Sequence, residues 1–117
     1  MDFQKWIEIQ MSKQIPEEVV AINFNLYESA DDDEGFDAQI VGCPLYDAND
    51  PDWACNTIFS SEEDLFHFTS EDWETALEDF EALLRDYLSS AQDKNVLTEC
   101  QYIAIGFVDG DLIPIRE

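Results

Sequence analysis

Residues 19 to 27 read V-V-A-I-N-F-N-L-Y, and residues 36 to 43 read F-D-A-Q-I-V-G-C. Both segments alternate, as strands with one buried face do, because successive side chains of a strand point to opposite faces of the sheet. A short polar connection separates them, and Gly35 supplies the backbone freedom that a turn needs. Together they predict an antiparallel hairpin. The side chains expected on the buried face of its strands are Val20, Ile22, Phe24, Leu26, Phe36, Ala38 and Ile40.

A second hairpin is predicted near residue 110. Residues 102 to 108 (Y-I-A-I-G-F-V) and residues 111 to 115 (D-L-I-P-I) are mostly apolar and are joined by Asp109-Gly110. An Asp-Gly pair between apolar segments is a strong signal for a two-residue hairpin turn. Because proline lacks a backbone N–H, Pro114 places the last strand at an edge of the sheet.

Residues 71 to 89 carry the clearest helical pattern. Their apolar side chains recur at i, i+3, i+4 and i+7, and acidic side chains occupy the opposite face. Thr69 or Ser70 is expected to cap the N-terminus, where the early acids suit the positive end of the helix dipole. The pattern predicts an amphipathic helix lying on a sheet. Its expected buried stripe is Trp73, Ala76, Leu77, Phe80, Leu83, Leu84, Tyr87 and Leu88.

The remaining segments are less regular. Residues 2 to 12 have apolar side chains near helical spacing, which favours a short helix with Asp2 as its N-cap, but Ile9 interrupts the stripe and leaves an alternating strand as the alternative. Residues 44 to 57 are rich in proline, aspartate and asparagine and predict a loop. A short strand is expected around residues 54 to 59. Ser60 or Ser61 would then cap a helical turn through residues 65 and 66.

These elements predict an α+β fold in a single globular domain spanning residues 1 to 117. We expect a mostly antiparallel sheet of four to five strands, with the long amphipathic helix packed across one face. A chain of this length buries about two-thirds of its unfolded surface, which suffices for one core.

The charge is strongly one-sided, with 28 acids, 5 Lys and Arg residues and a formal net charge of −23. No Lys or Arg occurs between Lys13 and Arg85, and residues 28 to 84 hold 18 of the acids. Direct binding to nucleic acid or to an anionic membrane is disfavoured, because both need a basic surface. A local negative field would attract a basic protein, whereas in the alternative interpretation the acidity serves only solubility.

Cysteine spacing and hydropathy favour a cytoplasmic protein. Cys43, Cys55 and Cys100 show no C-x-x-C spacing, so neither a disulfide framework nor a zinc site is indicated. The N-terminal residues lack the pattern of a secretory signal, and no apolar stretch approaches the ~18 residues that span a bilayer.

The acidic segments do not match a calcium loop. Aligning the EF-hand pattern on Gly35 puts Ala30 at the first ligand position and Val41 at the twelfth, and neither can ligate calcium. A second alignment beginning at Asp47 fails at its glycine position and at Ile58. No metal and no cofactor are therefore predicted.

Catalytic motifs are not found either. The single histidine, His67, lies between two phenylalanines and is expected to be a structural residue at the start of a helix. The sequence contains no G-x-S-x-G motif, and its four glycines are too dispersed for a phosphate loop. These observations predict a protein that is not an enzyme.

Two acidic loops combine carboxylates with aromatic side chains, a composition typical of protein-recognition surfaces. Phe36 lies among the acids that follow residue 30, and Tyr46 and Trp53 flank a second cluster. The alternative for Tyr46 and Trp53 is that they cover the core beneath a long loop. The residues predicted to contact a partner are Asp31, Asp32, Asp33, Glu34, Phe36, Asp37, Tyr46, Asp47, Asp50, Asp52 and Trp53.

The chain resembles the small acidic immunity proteins encoded beside bacterial polymorphic and contact-dependent toxins. The resemblance lies in its size, its acidity, the segment P-E-E-V-V-A-I-N-F-N-L-Y-E and the segment G-F-V-D-G-D-L-I-P-I. It implies a stoichiometric inhibitor of a basic toxin domain, often a nuclease, and it carries over no individual residue. The alternatives are a nucleic-acid mimic that inhibits a DNA-binding protein and a small-molecule or metal-dependent enzyme.

Overall fold

The computed structural model describes residues 3–29, 35–47, 49, 53, 57–61, 64–90, 96–107 and 112–116. The elements in chain order are α1 (Phe3–Met11), β1 (Ala21–Glu28), β2 (Gly35–Cys43), β3 (Phe59–Ser60), β4 (Phe66–Thr69), α2 (Trp73–Ser90), α3 (Val96–Glu99), β5 (Tyr102–Phe107) and β6 (Ile113–Arg116). The fold is α+β, as predicted, with a long helix packed on a mostly antiparallel open sheet.

Six strands form the sheet within the described residues, one more than the largest number predicted. The path of neighbours is β3–β2–β1–β5–β6, and β4 also pairs with β2. The predicted hairpin is confirmed: β1 and β2 are antiparallel from Ala21↔Cys43 to Glu28↔Phe36. Next to it, β1 and β5 pair in parallel, which the sequence analysis did not predict.

The pairing of β5 with β6 is antiparallel and leaves β6 at an edge, as Pro114 indicated. Asp109 and Gly110 lie outside the described residues. At the other edge, β3 pairs with the end of β2 and β4 with its beginning. Of the strand predicted around residues 54 to 59, Phe59 lies in β3, whereas residues 54 to 56 lie outside the described residues.

The main core lies between one face of the sheet and helices α1 and α2. The alternation predicted for the hairpin is confirmed for Ile22, Phe24, Leu26, Ala38 and Ile40, whose side chains enter this core. The placement of Val20 on the same face is wrong, because it packs against a second apolar cluster that includes Ala21 and Val41. The helices contribute Phe3, Trp6 and Ile7 from α1 and Phe80, Leu84 and Tyr87 from α2. The sheet contributes Ile22, Phe24, Leu26, Ala38, Ile40, Phe66, Ile103 and Ile105.

Phe80 lies at the centre of this core and is fully buried. Its ring centroid is 5.3 Å from that of Phe3 in an edge-to-face arrangement, 5.3 Å from Phe24 and 5.9 Å from Phe68. Edge-to-face and tilted pairs are favourable because the positive ring edge meets the negative ring face. One side chain of α2 thus joins α1 to two strands of the sheet.

The opposite face of the sheet carries a smaller apolar cluster, which includes Val41, Trp53 and Ala104. The ring of Tyr46 stacks on Tyr102, with centroids 4.0 Å apart and planes 13° apart, and Trp53 meets Tyr46 edge-on at 5.1 Å. The cluster covers the end of the sheet at which β1 begins and β2 ends.

Phe3–Met11 form helix α1, so the alternating strand considered for residues 2 to 12 is wrong. Asp64 anchors the helix: the indole N–H of Trp6 donates to its carbonyl at 3.0 Å, and the amide of buried Gln10 donates to its carboxylate at 2.6 Å. Asp2, the expected N-cap, lies outside the described residues.

The helical turn predicted through residues 65 and 66 is wrong, because Phe66–Thr69 form strand β4. Ser61 does not cap a helix there. Its hydroxyl accepts a hydrogen bond from the Ile40 N–H at 3.1 Å, and its own N–H donates to the Ile40 carbonyl at 2.9 Å. These bonds attach the segment to β2, and the F-H-F-T alternation then continues the sheet.

Candidate functional site

The residues predicted to contact a partner fall at opposite ends of β2. Phe36 and Asp37 lie at its beginning, whereas Tyr46 and Asp47 follow its end. The eight steps from Gly35 to Cys43 span about 26 Å at the usual rise of a strand. The described parts of the two predicted loops therefore do not form one continuous surface. The other predicted residues, Asp31, Asp32, Asp33, Glu34, Asp50 and Asp52, lie outside the described residues.

Two of the predicted aromatic contacts are core residues. Phe36 is 5% exposed, and its ring lies 5.8 Å from that of Phe107. Trp53 is 4% exposed and belongs to the smaller apolar cluster, which is the alternative that the sequence left open for it. Neither ring offers exposed area to a partner in this conformation. Tyr46 is half-buried, and Asp47 is exposed and accepts a hydrogen bond from the Asn49 N–H at 2.9 Å.

Asp37 belongs to a row of polar side chains across the helix-free face of the sheet. Tyr27 lies directly opposite it on β1, and His67 lies opposite it on β4. The imidazole Nδ1 of His67 is 2.9 Å from the Asp37 carboxylate. Burial, together with the negative charge of Asp37, raises the pKa of Tyr27. The prediction that His67 starts a helix is wrong, because it occupies a strand and pairs with a carboxylate.

Several chain segments meet at the end of the sheet where β1 finishes. The Ser29 N–H donates to the Gly35 carbonyl at 2.9 Å, and Gly35 pairs with Thr69 of β4. At the usual spacing of strands, these three positions lie within about 10 Å of one another. The segment from Thr69 to Glu74 leads from β4 into α2 at this same end.

We define the turn-end surface by its exposed side chains, which are Glu28, Glu71, Asp72, Trp73 and Glu74. All of them come from the long segment of sequence that contains no Lys or Arg. Two described bases outside that segment are already paired: Lys13 lies 3.8 Å from Asp64, and Arg85 lies 2.9 Å from Glu81. The surface therefore presents only negative charges around the ring of Trp73.

Asp72 is the N-cap of α2, so the assignment of the cap to Thr69 or Ser70 was wrong. Its side chain accepts a hydrogen bond from the Thr75 N–H at 2.8 Å, and its carbonyl accepts from the Ala76 N–H at 2.9 Å. The hydrogen bonds from Thr75 lower the pKa of Asp72 below its ordinary value of 3.8. The cap fixes the first turn of the helix and keeps a negative charge beside Trp73.

Replacing Asp72 with asparagine is expected to weaken the loss of stability in acid. Since its pKa is lowered in the folded chain, the ionised cap contributes fully above the unfolded-state pKa, and the contribution is lost as the pH falls through the folded-state pKa. Asparagine caps about as well but does not titrate. Melting temperatures of both proteins, measured from about pH 6 to about pH 3, should fall more steeply for the wild type than for the variant. A difference that stays constant with pH would contradict this assignment.

Trp73 departs from the predicted buried stripe, because its side chain is 54% exposed. Its ring meets Phe107 edge-on, with centroids 6.1 Å apart, at the end of β5. Leu83, another member of the stripe, is 38% exposed, whereas Ala76, Phe80, Leu84 and Tyr87 are buried as expected. Helical periodicity assigned Trp73 to the side of the helix that faces the sheet, but its contact with Phe107 leaves half of its surface exposed.

No protein-family model matches the chain, and no curated protein or solved structure shows significant similarity to it. Among the described side chains, no group of three or more His, Cys, Asp or Glu residues is placed to hold a metal ion. No helix within the described ranges combines the length and the apolar character needed to cross a bilayer.

Proposed function

We propose that the chain is a non-catalytic protein-binding module that neutralises a basic partner, in the manner of a bacterial immunity protein bound to its toxin. The observation that carries the proposal is the turn-end surface, where exposed carboxylates gather at one end of the sheet in a segment without Lys or Arg. The resemblance to small acidic immunity proteins supports the nature of the partner.

The physical basis is electrostatic steering. A surface of one sign raises the local concentration of an oppositely charged partner and accelerates association, and the effect falls as salt screens it. With a net charge of −23, long-range attraction acts over the whole chain, while the carboxylates at the contact orient the partner. A basic active surface covered in this way is closed to its own anionic substrate.

The nucleic-acid mimic would need an extended row of carboxylates that reproduces the spacing of phosphates. On the exposed side of α2, the row that begins with Glu74 and Glu78 reaches Ala82 at the next helical repeat. The neighbouring Glu81 is paired with Arg85. The acids of α2 therefore favour a local contact over a long phosphate-like track.

The proposal is tested by affinity capture on the immobilised chain, followed by elution with increasing salt. We expect a basic protein to be retained at low salt, to be released at high salt and to lose its activity when mixed with one equivalent of the chain. The product of a neighbouring toxin-like gene is the first candidate to assay. A captured partner that is acidic, or whose activity is unchanged by a saturating amount of the chain, would rule the proposal out.

A further inference from the structure

We propose that Trp73 anchors the partner, inserting its exposed ring into an apolar recess bordered by Arg or Lys side chains. This inference rests on the proposed function and adds the surface through which it acts. The turn-end surface is the only place among the described residues where a tryptophan is exposed, since Trp6 and Trp53 are 1% and 4% exposed.

The exposed ring is held in place before any partner binds. Trp73 is the first residue of α2, and the Asp72 cap fixes the backbone on which it stands. Phe107 supports the ring from the side of the sheet, with an interplanar angle of 88°. A large aromatic side chain with few rotatable bonds loses little entropy on binding, which is why tryptophan is enriched among residues that dominate binding energy.

The charges around the ring specify the chemistry of the partner. Glu71, Asp72 and Glu74 are exposed immediately beside it, and Glu28 ends the adjacent strand β1. A second copy of this chain would bring like charges together, which is unfavourable in an interface. A basic surface is favoured instead, because an arginine can pair with these carboxylates and also lie over the indole face.

The strongest rival surface is a groove between α1 and α2, about 230 Å³ in volume, lined by Phe3, Gln4, Leu83, Asp86, Tyr87 and Ser90. Its exposed apolar residue, Leu83, lies ten residues beyond Trp73, about 15 Å along the helix. The Glu81–Arg85 ion pair lies on the same stretch of helix, so the charge there is mixed. Leu83→Ala therefore serves as a matched control on the same helix.

The test uses short random peptides displayed on phage and selected on the immobilised full chain. We expect the selected peptides to combine Arg or Lys with apolar residues and to be released by salt. Trp73→Ala should weaken their binding roughly tenfold or more, the loss typical of a dominant contact, whereas Leu83→Ala should leave it unchanged. Trp73→Phe should retain most of the affinity, because it keeps an aromatic ring on Phe107. Melting temperatures of the three variants verify that each is folded.

Acrylamide quenching of fluorescence gives a direct measure of occupancy. Because Trp6 and Trp53 are buried, collisional quenching reports mainly on Trp73. A bound peptide should reduce the quenching of wild type to the level of free Trp73→Phe. Basic, salt-sensitive peptides that bind Trp73→Ala as tightly as wild type would overturn the anchor and leave the proposed function standing. Selection of peptides without basic residues would overturn the proposed function itself.

Discussion

Phe80→Ala is expected to lower the free energy of unfolding by about 3–5 kcal/mol, because truncating a buried phenylalanine loses its transfer energy and leaves a cavity. Phe80 is fully buried and contacts Phe3, Phe24 and Phe68, which belong to α1, β1 and β4. No single neighbour can fill the space without leaving its own strand or helix. The loss is a large fraction of the ~5–15 kcal/mol that typically stabilises a folded protein.

Urea denaturation followed by circular dichroism measures this effect, with Leu83→Ala as the control. Leu83 lies one helical turn away on the same helix but is 38% exposed, so its truncation should change stability far less. If Phe80→Ala and Leu83→Ala unfolded at the same urea concentration, the packing of α2 on the sheet described above would be wrong.

The simultaneous replacement of Asp31, Asp32 and Asp33 with asparagine is expected to slow association with the basic partner about tenfold, with a smaller change in dissociation. These residues join β1 to β2 in sequence, and Ser29 and Gly35, on either side of them, lie at the end of the sheet that carries the turn-end surface. Charges at the border of an interface act mainly on the encounter step. Stopped-flow or surface-plasmon measurements across a salt series should show a shallower dependence of the association rate on ionic strength.

The matched control replaces Glu17, Glu18 and Glu99 with glutamine, which removes the same number of negative charges. These glutamates precede Ala21 and Tyr102, two paired residues at the opposite end of the sheet. If steering depends on the position of the charges, the control should associate nearly as fast as wild type. If both triple variants slowed association equally, the effect would depend on net charge alone. Asp31, Asp32 and Asp33 would then have no special role in the encounter with the partner.

Local patterns predicted much of this fold because they report on neighbouring residues. Alternation through Ile22, Phe24 and Leu26 gave β1, and the apolar segments flanking Asp109-Gly110 gave β5 and β6. In each case the strand and its antiparallel neighbour are joined by a short connection. The turn residues and both paired strands are therefore close in sequence and can be recognised together.

The parallel pairing of β1 with β5 has no such local signal. Ala21 pairs with Tyr102, 81 positions later in the sequence, and the residues around either one do not indicate which strand it pairs with. The strand at residues 66 to 69 was missed for a related reason. Its four residues become a strand only because β2 provides an edge for them, while the preceding serines and acids resemble a helix cap.

None of the residues that define the turn-end surface was among those predicted to contact a partner, because composition identifies acidic segments without fixing which aromatic side chains are exposed. Trp53 follows Asp50 and Asp52 in an acidic loop and is nevertheless buried, whereas Trp73 matches the apolar period of α2 and is half exposed. Both outcomes depend on tertiary packing: Trp53 packs against Tyr46 and the apolar cluster on the sheet, whereas Trp73 meets Phe107 only edge-on. A stripe of helical period reveals the side of the helix that faces the core but not the length of the surface beneath it.

The central position of β1 also affects how the protein is made. Its two neighbours in the sheet are β2, which follows it directly, and β5, whose first residue is synthesised 81 positions after Ala21. Once β2 is complete at Cys43, another 59 residues must be made to reach Tyr102. At ~5–20 residues per second, an early hairpin therefore leaves one side of β1 unpaired for roughly 3–12 s. An unpaired strand edge invites pairing with another nascent chain. With a net charge of −23, adjacent nascent chains repel one another, so we expect the same carboxylates to oppose pairing of these edges between unfinished molecules.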